Sequence, residues 1–279
     1  MDALYGYALE LYEFYNYHHA RGDPRSKDWP LVENYAPTFV MTVLYLSAVK
    51  FLPIYMRNRK PLKLNRLMVV YNLALVALNF HIFKELMVCS WSLGYSYTCQ
   101  PINYSFDPHE LRISKAIWWY YISKGIEYMD TIIFILRKKN DQVSFLHVYH
   151  HATMFSLWWI GVKWVAGGQA FFGSMINSWI HVLMYLYYGL SAIGPHMQKY
   201  LKWKKYLTQL QLTQFCLGIG NAAAGIYVNC DFPQWMGYAL VFYASSIMAL
   251  FINFYIQAYI AGKRPGGEVK SKKKEEKAE

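Results

Sequence analysis

The chain has 279 residues, of which 55% are hydrophobic, 19% aromatic and only 16% charged. An ordinary soluble domain has about 25% charged residues, so the composition argues against a soluble globular protein. The net charge of +11 would suit nucleic acid. However, the basic residues are grouped in short connections between apolar segments, which argues against a nucleic-acid partner.

Seven apolar segments along the chain approach or exceed the roughly 20 residues that a helix needs to cross a bilayer. Breakers such as Gly194 and Pro195 separate several of them. The sequence therefore predicts an all-α membrane protein with seven transmembrane helices. In chain order, predicted spans one to seven cover residues 36–56, 67–91, 113–136, 142–163, 169–193, 206–229 and 234–262.

The connections between these spans differ sharply in charge. Three of them are basic and together hold twelve Lys and Arg residues; they are 57–66, 137–141 and 194–205. The connections that alternate with them hold only Arg112; they are 92–112, 164–168 and 230–233. By the positive-inside rule the basic connections face the cytosol. This places the N-terminus on the lumenal side of the membrane and the C-terminus in the cytosol.

Two segments flank the predicted membrane domain, 36–262. Residues 1–35 lack an apolar core followed by a cleavage site, so we expect a lumenal N-terminal segment and no secretory signal. Residues 263–279 include the run KSKKKEEK. We expect this basic tail to lie in the cytosol and to contact anionic membrane lipid.

The four cysteines fit this topology. Cys99 and Cys230 lie in two lumenal connections, whereas Cys89 and Cys216 lie within spans. Because the lumen of the secretory pathway is oxidising, Cys99 and Cys230 predict a disulfide; two free thiols are the alternative. Asn103 begins an Asn-Tyr-Ser sequon on the same side, which makes it a candidate for glycosylation.

The motif HVYHH in span four is the most unusual feature of the apolar segments. A helix turns 100° per residue, so His147, His150 and His151 fall within one 100° arc and are expected to face one cavity. Ionisable groups are costly inside a membrane and commonly mark a working site. Single amides and hydroxyls, by contrast, often only join helices.

Other polar side chains lie mainly in the cytosolic halves of the remaining spans. The candidates in spans three, five and six are Lys124, Glu127, Asp130, Asn177, His181, Tyr185, Tyr188, Gln209, Gln211 and Gln214. Span one differs, because its Lys50 can extend toward the cytosol. We therefore predict that spans two to seven form a six-helix ring around a polar chamber open to the cytosol, with span one packed outside.

Several kinds of chemistry suit such a histidine cluster. Three imidazoles with an open position can bind zinc, and an HxxHH box also occurs in membrane di-iron enzymes. With His181, only four histidines within the spans can meet, which is too few for two irons, so we expect no metal. A neutral imidazole can also be a nucleophile that carries a covalent intermediate.

Basic residues at the cytosolic mouth suit the phosphates of an acyl carrier. The candidates are Lys138, Lys139 and Lys204. Together with the histidines they predict an acyl-transfer enzyme at the cytosolic face. The alternatives are a metal-dependent membrane lipid desaturase or hydroxylase, and a non-enzymatic seven-span receptor or transporter.

Four motifs occur in order along spans three to six: KGIEYMDTIIFILRKK, SFLHVYHH, NSWIHVLMYLYYGLSAIGP and TQLQLTQF. Their order and spacing resemble the ELOVL family of very-long-chain fatty-acid elongases over about residues 30–262. KWVAGGQAFFG and CDFPQWM are most similar to the very-long-chain branch that includes polyunsaturated substrates. The resemblance implies an endoplasmic reticulum enzyme, a 3-ketoacyl-CoA synthase. Such an enzyme condenses malonyl-CoA with a long- or very-long-chain acyl-CoA to give 3-ketoacyl-CoA, CO2 and CoA.

The resemblance also implies roles and partners. It implies no cofactor besides the two substrates, cooperation with the reductases and dehydratase of the elongation cycle, and it admits a homo-oligomer. The family's motifs fall on His147, His150, His151, Lys124, Glu127, Asp130, Asn177 and His181. No cysteine lies beside the histidine box, so we favour His150 as the acyl acceptor, with His181, Asn177 or another histidine of the box as donors to the enolate oxygen. Direct attack on the bound acyl-CoA is the alternative.

Overall fold

The computed structural model describes residues 2–261, so the predicted tail 263–279 lies outside the described residues. Within this range the chain is helical and has no β-strand. Two 3-10 helices, Asn140–Gln142 and Pro195–Tyr200, and a π-helix at Ile256–Ile260 connect or extend the α-helices. The nine α-helices of the described residues are α1 (Asp2–Ala20), α2 (Ala36–Met56), α3 (Asn65–Ser92), α4 (Pro108–Ile126), α5 (Tyr128–Leu136), α6 (Phe145–Trp164), α7 (Ala170–Ile193), α8 (Lys204–Tyr227) and α9 (Gln234–Tyr255).

Each predicted span coincides with helical structure, from α2 for span one to α9 for span seven. By length and apolar content, three helices among residues 2–261 suit a membrane crossing: α2, α3 and α9 with its π-helical extension. The remaining helices fall short in length, as α5 does with nine residues, or in apolar content. The chain is thus all-α over the described residues and has several apolar helices of membrane-spanning length, while the count of seven spans stays a prediction.

A helix cap sets the start of α4. Asp107 accepts hydrogen bonds from the backbone N–H groups of His109 and Glu110 at 2.8 and 3.3 Å. An aspartate in this position satisfies N–H groups that have no partner within the helix. Pro108 fits the first turn, where no N–H is needed. The helix therefore begins upstream of the predicted boundary at residue 113.

The helix predicted over 113–136 is interrupted at one residue, while the span itself stays a prediction. Helix α4 ends at Ile126, and Glu127 separates it from α5. The Asp130 N–H donates to the Glu127 carbonyl at 3.1 Å, which is the tighter three-residue turn of a 3-10 helix. The apolar pattern continues across this point, so periodicity gave no sign of the break.

The larger of two buried apolar clusters lies between α3, α4, α6 and α7, and a smaller one contains Tyr187, Leu201 and Leu207. Ile82 of α3, Ile117 of α4, Phe155 of α6 and Phe171 of α7 are fully buried within the larger cluster. Helix α3 contacts α4 and α7, α4 contacts α6, α6 contacts α9, and α8 contacts both α7 and α9. These contacts bring polar side chains of α4, α6 and α7 close to one another.

Helix α2 packs against α5 and α6 through a narrow stripe. Thr38, Thr42 and Tyr45 on this stripe are buried, whereas Phe39 and Leu44 on the rest of the helix are more than half exposed. An exposed apolar surface of this kind suits contact with lipid tails, since it would be costly in water.

A disulfide joins Cys99 to Cys230, the pairing that the sequence analysis predicted. It connects the loop between α3 and α4 to the turn between α8 and α9, across 131 residues of sequence. Cys89 and Cys216 are free thiols. We refer to this end of the molecule, marked by Cys99 and Cys230, as the disulfide end. Asn103 is exposed in the same loop.

A buried ionic network ties the N-terminal segment to the disulfide end, and the sequence analysis missed it. Arg25 pairs with Asp23 at 2.6 Å, and both side chains are fully buried. The Arg25 guanidinium also donates to the carbonyls of Asn103 and Ala166 at 2.6 and 3.1 Å. A buried charge needs such partners. Their positions, up to 141 residues away in sequence, cannot be derived from the segment itself.

Candidate active site

The junction between α4 and α5 carries a buried ion pair. Lys124 Nζ donates to Glu127 Oε1 at 2.9 Å, and the exposed fractions of the two side chains are 1% and 0%. A buried pair is stable only when further hydrogen bonds satisfy both ions. Asn177 and His181, one turn apart on α7, supply such contacts to Lys124 Nζ and Glu127 Oε1, whereas the buried Glu127 Oε2 has no partner among the described residues. Lys124 Nζ lies 3.3 Å from Asn177 Oδ1, and His181 Nδ1 lies 3.2 Å from Glu127 Oε1.

Asn177 is oriented by a second donor. The Tyr120 hydroxyl donates to Asn177 Oδ1 at 2.7 Å, and the Lys124 ammonium lies 4.5 Å from the centre of the Tyr120 ring. Because Oδ1 accepts both hydrogen bonds, the Asn177 Nδ2 group remains a donor toward the cavity that this residue lines. Sequence reasoning missed Tyr120, although its position one turn before Lys124 places both side chains on one helix face.

The three histidines of α6 do not share one cavity wall, as the 100° arc had suggested. His150 is partly exposed and lines an apolar cavity between α6, α7, α8 and α9. His147 Nε2 lies 2.8 Å from Thr131 Oγ1 of α5, and His151 is buried. The His151 ring centre lies 4.3 Å from that of His147 and 5.2 Å from that of His150. An arc of this width points one side chain at the cavity and another at the neighbouring helix.

Asp130 and two tyrosines of α7 form a second polar contact near this cluster. The Tyr185 hydroxyl donates to Asp130 Oδ2 at 2.8 Å, and Tyr185 is fully buried. The Tyr185 ring centre lies 5.7 Å from that of His181 and 6.2 Å from that of Tyr188. Thus Lys124, Glu127 and Asp130 each bind α7, and the predicted groups of spans three and five are brought together.

The glutamines of α8 have separate environments. Gln209 Nε2 donates to the Tyr255 hydroxyl at 2.9 Å, and Gln211 Nε2 lies 3.7 Å from Met184 Sδ. Gln214 lines the same cavity as His150, and among the described residues its buried Oε1 has no hydrogen-bond partner. Of the three, Gln214 is therefore the one positioned to meet a molecule in the cavity.

The basic candidates lie apart from the buried cluster. Lys138, Lys139 and Lys204 are exposed near helix ends. Lys138 Nζ donates to the Arg57 carbonyl at 3.0 Å, which directs it toward the end of α2. The structure therefore places Lys138 outside the cluster formed by α4, α6 and α7.

An apolar cavity of about 250 Å³ extends from the polar cluster to the disulfide end. Its polar lining includes Tyr120 and Asn177 beside the buried ion pair, together with His150 and Gln214. Its walls come from α6, α7, α8 and α9, and they are mostly apolar side chains and glycines. Such a cavity suits a long apolar molecule whose reactive end lies beside His150 and Asn177.

The far end of the cavity is closed by a pair of amides. Gln169 Nε2 donates to Asn221 Oδ1 at 2.9 Å, and both residues line the cavity. The Gln100 N–H donates to Gln169 Oε1 at 2.8 Å, and Asn221 Nδ2 donates to the Tyr97 carbonyl at 2.5 Å. The loop that carries Cys99 therefore holds this end together.

Among residues 2–261, no group of three or more His, Cys, Asp or Glu side chains is arranged to hold a metal ion. The contacts of the histidine box are instead with a hydroxyl, with neighbouring rings and with the cavity. An imidazole and an amide donor at the end of an apolar cavity are suited to acyl transfer.

The chain matches the GNS1/SUR4 (ELO) family over residues 30–267. It is 54% identical to very long chain fatty acid elongase 4 of Homo sapiens over 253 residues, which are 91% of this chain and 81% of that protein. It is 48% identical over 237 residues to very long chain fatty acid elongase 5 of Rattus norvegicus, covering 85% of this chain and 79% of that protein. It is 44% identical to very long chain fatty acid elongase 2 of Mus musculus over 262 residues, covering 93% and 88%.

Proposed function

Because the chain belongs to the GNS1/SUR4 (ELO) family, we infer that its buried cluster carries out the reaction of a very-long-chain fatty acid elongase. The enzyme is a 3-oxoacyl-CoA synthase: it condenses malonyl-CoA with a long- or very-long-chain acyl-CoA. The products are 3-oxoacyl-CoA, CO2 and CoA. The position of His150 at the polar end of an apolar cavity is the observation that carries this assignment to particular residues.

We propose a two-step exchange in which His150 first takes the acyl group. An imidazole nitrogen attacks the thioester carbonyl, a C–N bond forms, the C–S bond breaks, and CoA leaves with the imidazole proton. Malonyl-CoA then loses CO2, and its enolate carbon attacks the acyl-imidazole. The new C–C bond forms as the C–N bond breaks, and the released imidazole nitrogen takes up one proton from water, which restores neutral His150. Direct attack on the bound acyl-CoA is the alternative route to the same products.

The groups around His150 supply what these steps need. Asn177 Nδ2 is the donor left free by Tyr120 and Lys124, and we propose that it stabilises the enolate oxygen. Glu127 Oε1 accepts a hydrogen bond from His181 Nδ1–H. A proton held on Nδ1 by Glu127 leaves His181 Nε2 as the proton acceptor, because the hydrogen bond of one ring nitrogen sets the protonation of the other. Lys124, Glu127 and Asp130 then orient α7 and do not themselves react.

We propose that the apolar cavity holds the acyl chain. Its mostly apolar walls lead away from His150, and each methylene that leaves water contributes about 0.8 kcal/mol. Gln214 Oε1 is a candidate contact for the polar head of the substrate. Tyr188, Gln209 and Gln211 lie near the neighbouring helix ends, and we assign them to the entrance.

The CoA phosphates require cations at the mouth of the site. Lys139 and Lys204 are exposed and free to reach them, and we retain both as phosphate contacts. Lys138 fits this role less well, because its ammonium bonds the Arg57 carbonyl. A selective rise in the KM for acyl-CoA in Lys204→Ala, without a change in kcat, would test this assignment.

We propose that predicted spans two to seven enclose the site as a six-helix ring in the endoplasmic reticulum membrane. The succession of contacts α3–α4–α6–α9–α8–α7 and the contact of α7 with α3 support a closed ring, and α2 packs beside it. The charge of the connections supports a lumenal N-terminus and a cytosolic C-terminus. Protease protection of the two ends in sealed microsomes tests this orientation.

We propose further that no metal or other cofactor takes part and that the reductases and dehydratase of the elongation cycle process the product. Four histidines on two helices suit a metal centre poorly. Unchanged activity in the presence of a strong chelator is the expected result, and loss that one particular ion restores would contradict it. The mass of the protein in detergent tests whether it forms a homo-oligomer.

The assignment is tested by feeding labelled malonyl-CoA and a panel of acyl-CoAs to the purified chain in nanodiscs. Wild type should form 3-oxoacyl-CoA, and His150→Ala should form none while keeping the same melting temperature. His81→Ala is the matched control, since His81 is an exposed histidine of α3 outside the cavity. Full activity of His150→Ala would overturn the role of His150.

A further inference from the structure

Helix α2 is joined to α4 and α5 by three pairs of hydroxyl groups. The pairs are Thr38 with Tyr121, Thr42 with Tyr128, and Tyr45 with Thr131. All six side chains are buried. The α2 members follow one another at helical spacing, so they form a single stripe. Buried hydroxyls need partners, and this stripe finds them on one neighbouring surface.

Only the third pair continues to the histidine box. The Tyr45 hydroxyl lies 3.0 Å from Thr131 Oγ1, which in turn lies 2.8 Å from His147 Nε2. Tyr45 is held by its ring, which stacks on that of Tyr128 with centres 4.1 Å apart and planes inclined by 10°. Of the other two pairs, the first ends at the Leu31 carbonyl, and the second continues from Thr42 to the Ser156 hydroxyl of α6 at 3.2 Å, which is not part of the histidine box.

The chemistry of the three groups gives this chain a direction. A hydroxyl has one proton to donate, and a phenol is a stronger donor than an aliphatic alcohol because it is more acidic. The greater acidity of the phenol favours Tyr45 as the donor to Thr131, and the single Thr131 proton is then directed to His147 Nε2. A neutral imidazole that accepts at Nε2 carries its proton on Nδ1.

We propose that Tyr45 and Thr131 are positioning residues that fix the ring orientation and the Nδ1–H tautomer of His147. The tautomer decides whether the second nitrogen of His147 donates or accepts beside His151, whose ring centre is 4.3 Å away. A helix that lines none of the catalytic cavity thus controls the histidine box. The inference rests on the proposed function only in that its kinetic test uses elongation.

The test compares variants that remove one hydroxyl each. Tyr45→Phe and Thr131→Val should lower kcat roughly twofold to tenfold, the effect of losing one uncharged hydrogen bond, with KM for acyl-CoA unchanged. Thr131→Ser keeps the hydroxyl and should retain activity. Tyr121→Phe is the matched control, because it removes a hydroxyl from the first pair, which does not reach His147. A Tyr45→Phe kcat no lower than that of Tyr121→Phe would overturn the proposal.

Nitrogen-15 NMR of labelled imidazoles supplies a measurement that a purely structural role would not move. His147 signals are identified by their loss in His147→Asn. Wild type should show the Nδ1–H tautomer, and Tyr45→Phe and Thr131→Val should shift it toward Nε2–H. A wild-type proton on Nε2 would contradict the proposal. An active His150→Ala would instead refute the proposed function, so the two failures are distinguishable.

Discussion

Replacing Lys124 with Met should destabilise the protein strongly, because Glu127 would remain buried without its cation. The Glu127 side chain is 0% exposed and Lys124 is 1% exposed, so water cannot replace the ammonium. Removing one partner of a buried ion pair costs about 3–5 kcal/mol. His181 still bonds Glu127, which favours the lower end of that range. With about 2–4 °C per kcal/mol for a chain of this size, the melting temperature should fall by roughly 6–12 °C.

The pair between Lys84 and Glu85 provides a matched control on another helix. Its N–O distance is 3.0 Å, but the Lys84 side chain is 48% exposed. Exposed pairs contribute about 0–1 kcal/mol, so Lys84→Met should lower the melting temperature by no more than roughly 4 °C. Replacing both members of the buried pair with apolar residues is far less harmful than removing one. Lys124→Met combined with Glu127→Met should therefore be more stable than Lys124→Met alone.

Tryptophan fluorescence during heating in nanodiscs measures all four proteins under one condition. The reasoning is refuted if Lys124→Met melts no lower than Lys84→Met. It is also refuted if adding Glu127→Met lowers the melting temperature further, because the penalty would then not come from an unpaired carboxylate.

Two further substitutions test the cavity and the disulfide end. A Cβ at Gly218, which lines the cavity, meets no atom within 4 Å, so Gly218→Leu should fill the acyl site. Each methylene that the new side chain excludes from the cavity loses about 0.8 kcal/mol of burial. Excluding two methylenes should therefore lower kcat/KM for the longest acyl-CoA roughly tenfold and leave shorter acyl-CoAs unaffected. Gly220→Leu, with equal space but outside the cavity lining, is the control; equal loss in both would contradict the assignment. Cys99→Ser should lower the free energy of unfolding by up to about 4–5 kcal/mol, the chain-entropy limit for so long a loop. Cys216→Ser should change it little, and equal melting temperatures would show that the bridge does not constrain the unfolded chain.

The sequence predicted the helices and the disulfide well, because both depend on simple patterns. Apolar length locates the spans, and the charge of the connections places Cys99 and Cys230 on one side before any contact is known. Polar residues on successive helix turns likewise indicated Lys124, Glu127, Asn177 and His181. Their direct contact across α4, α5 and α7 is a property of the packed structure.

The remaining features depend on which helices are neighbours. The break at Glu127 lies between Lys124 and Asp130, and its reason becomes visible only when Asn177 and His181 are seen to contact the ion pair. The histidine arc was correct as geometry, but the neighbour of His147 is α5, so it faces Thr131 and not the cavity that His150 lines. The burial of Arg25 was missed for the same reason, since the groups that satisfy it come from distant parts of the chain.

The formation of an acyl-imidazole on His150 is the central mechanistic claim, and it is tested directly by giving the enzyme acyl-CoA without malonyl-CoA. Wild type should release free CoA in a burst of up to one equivalent. Intact-mass analysis should show the added acyl group, and peptide mapping should place it on the segment that contains His150. His81→Ala should behave like wild type, and His150→Ala should give neither burst nor adduct. An enzyme that elongates normally but shows no burst and no adduct would contradict the two-step exchange and require direct attack on the bound acyl-CoA.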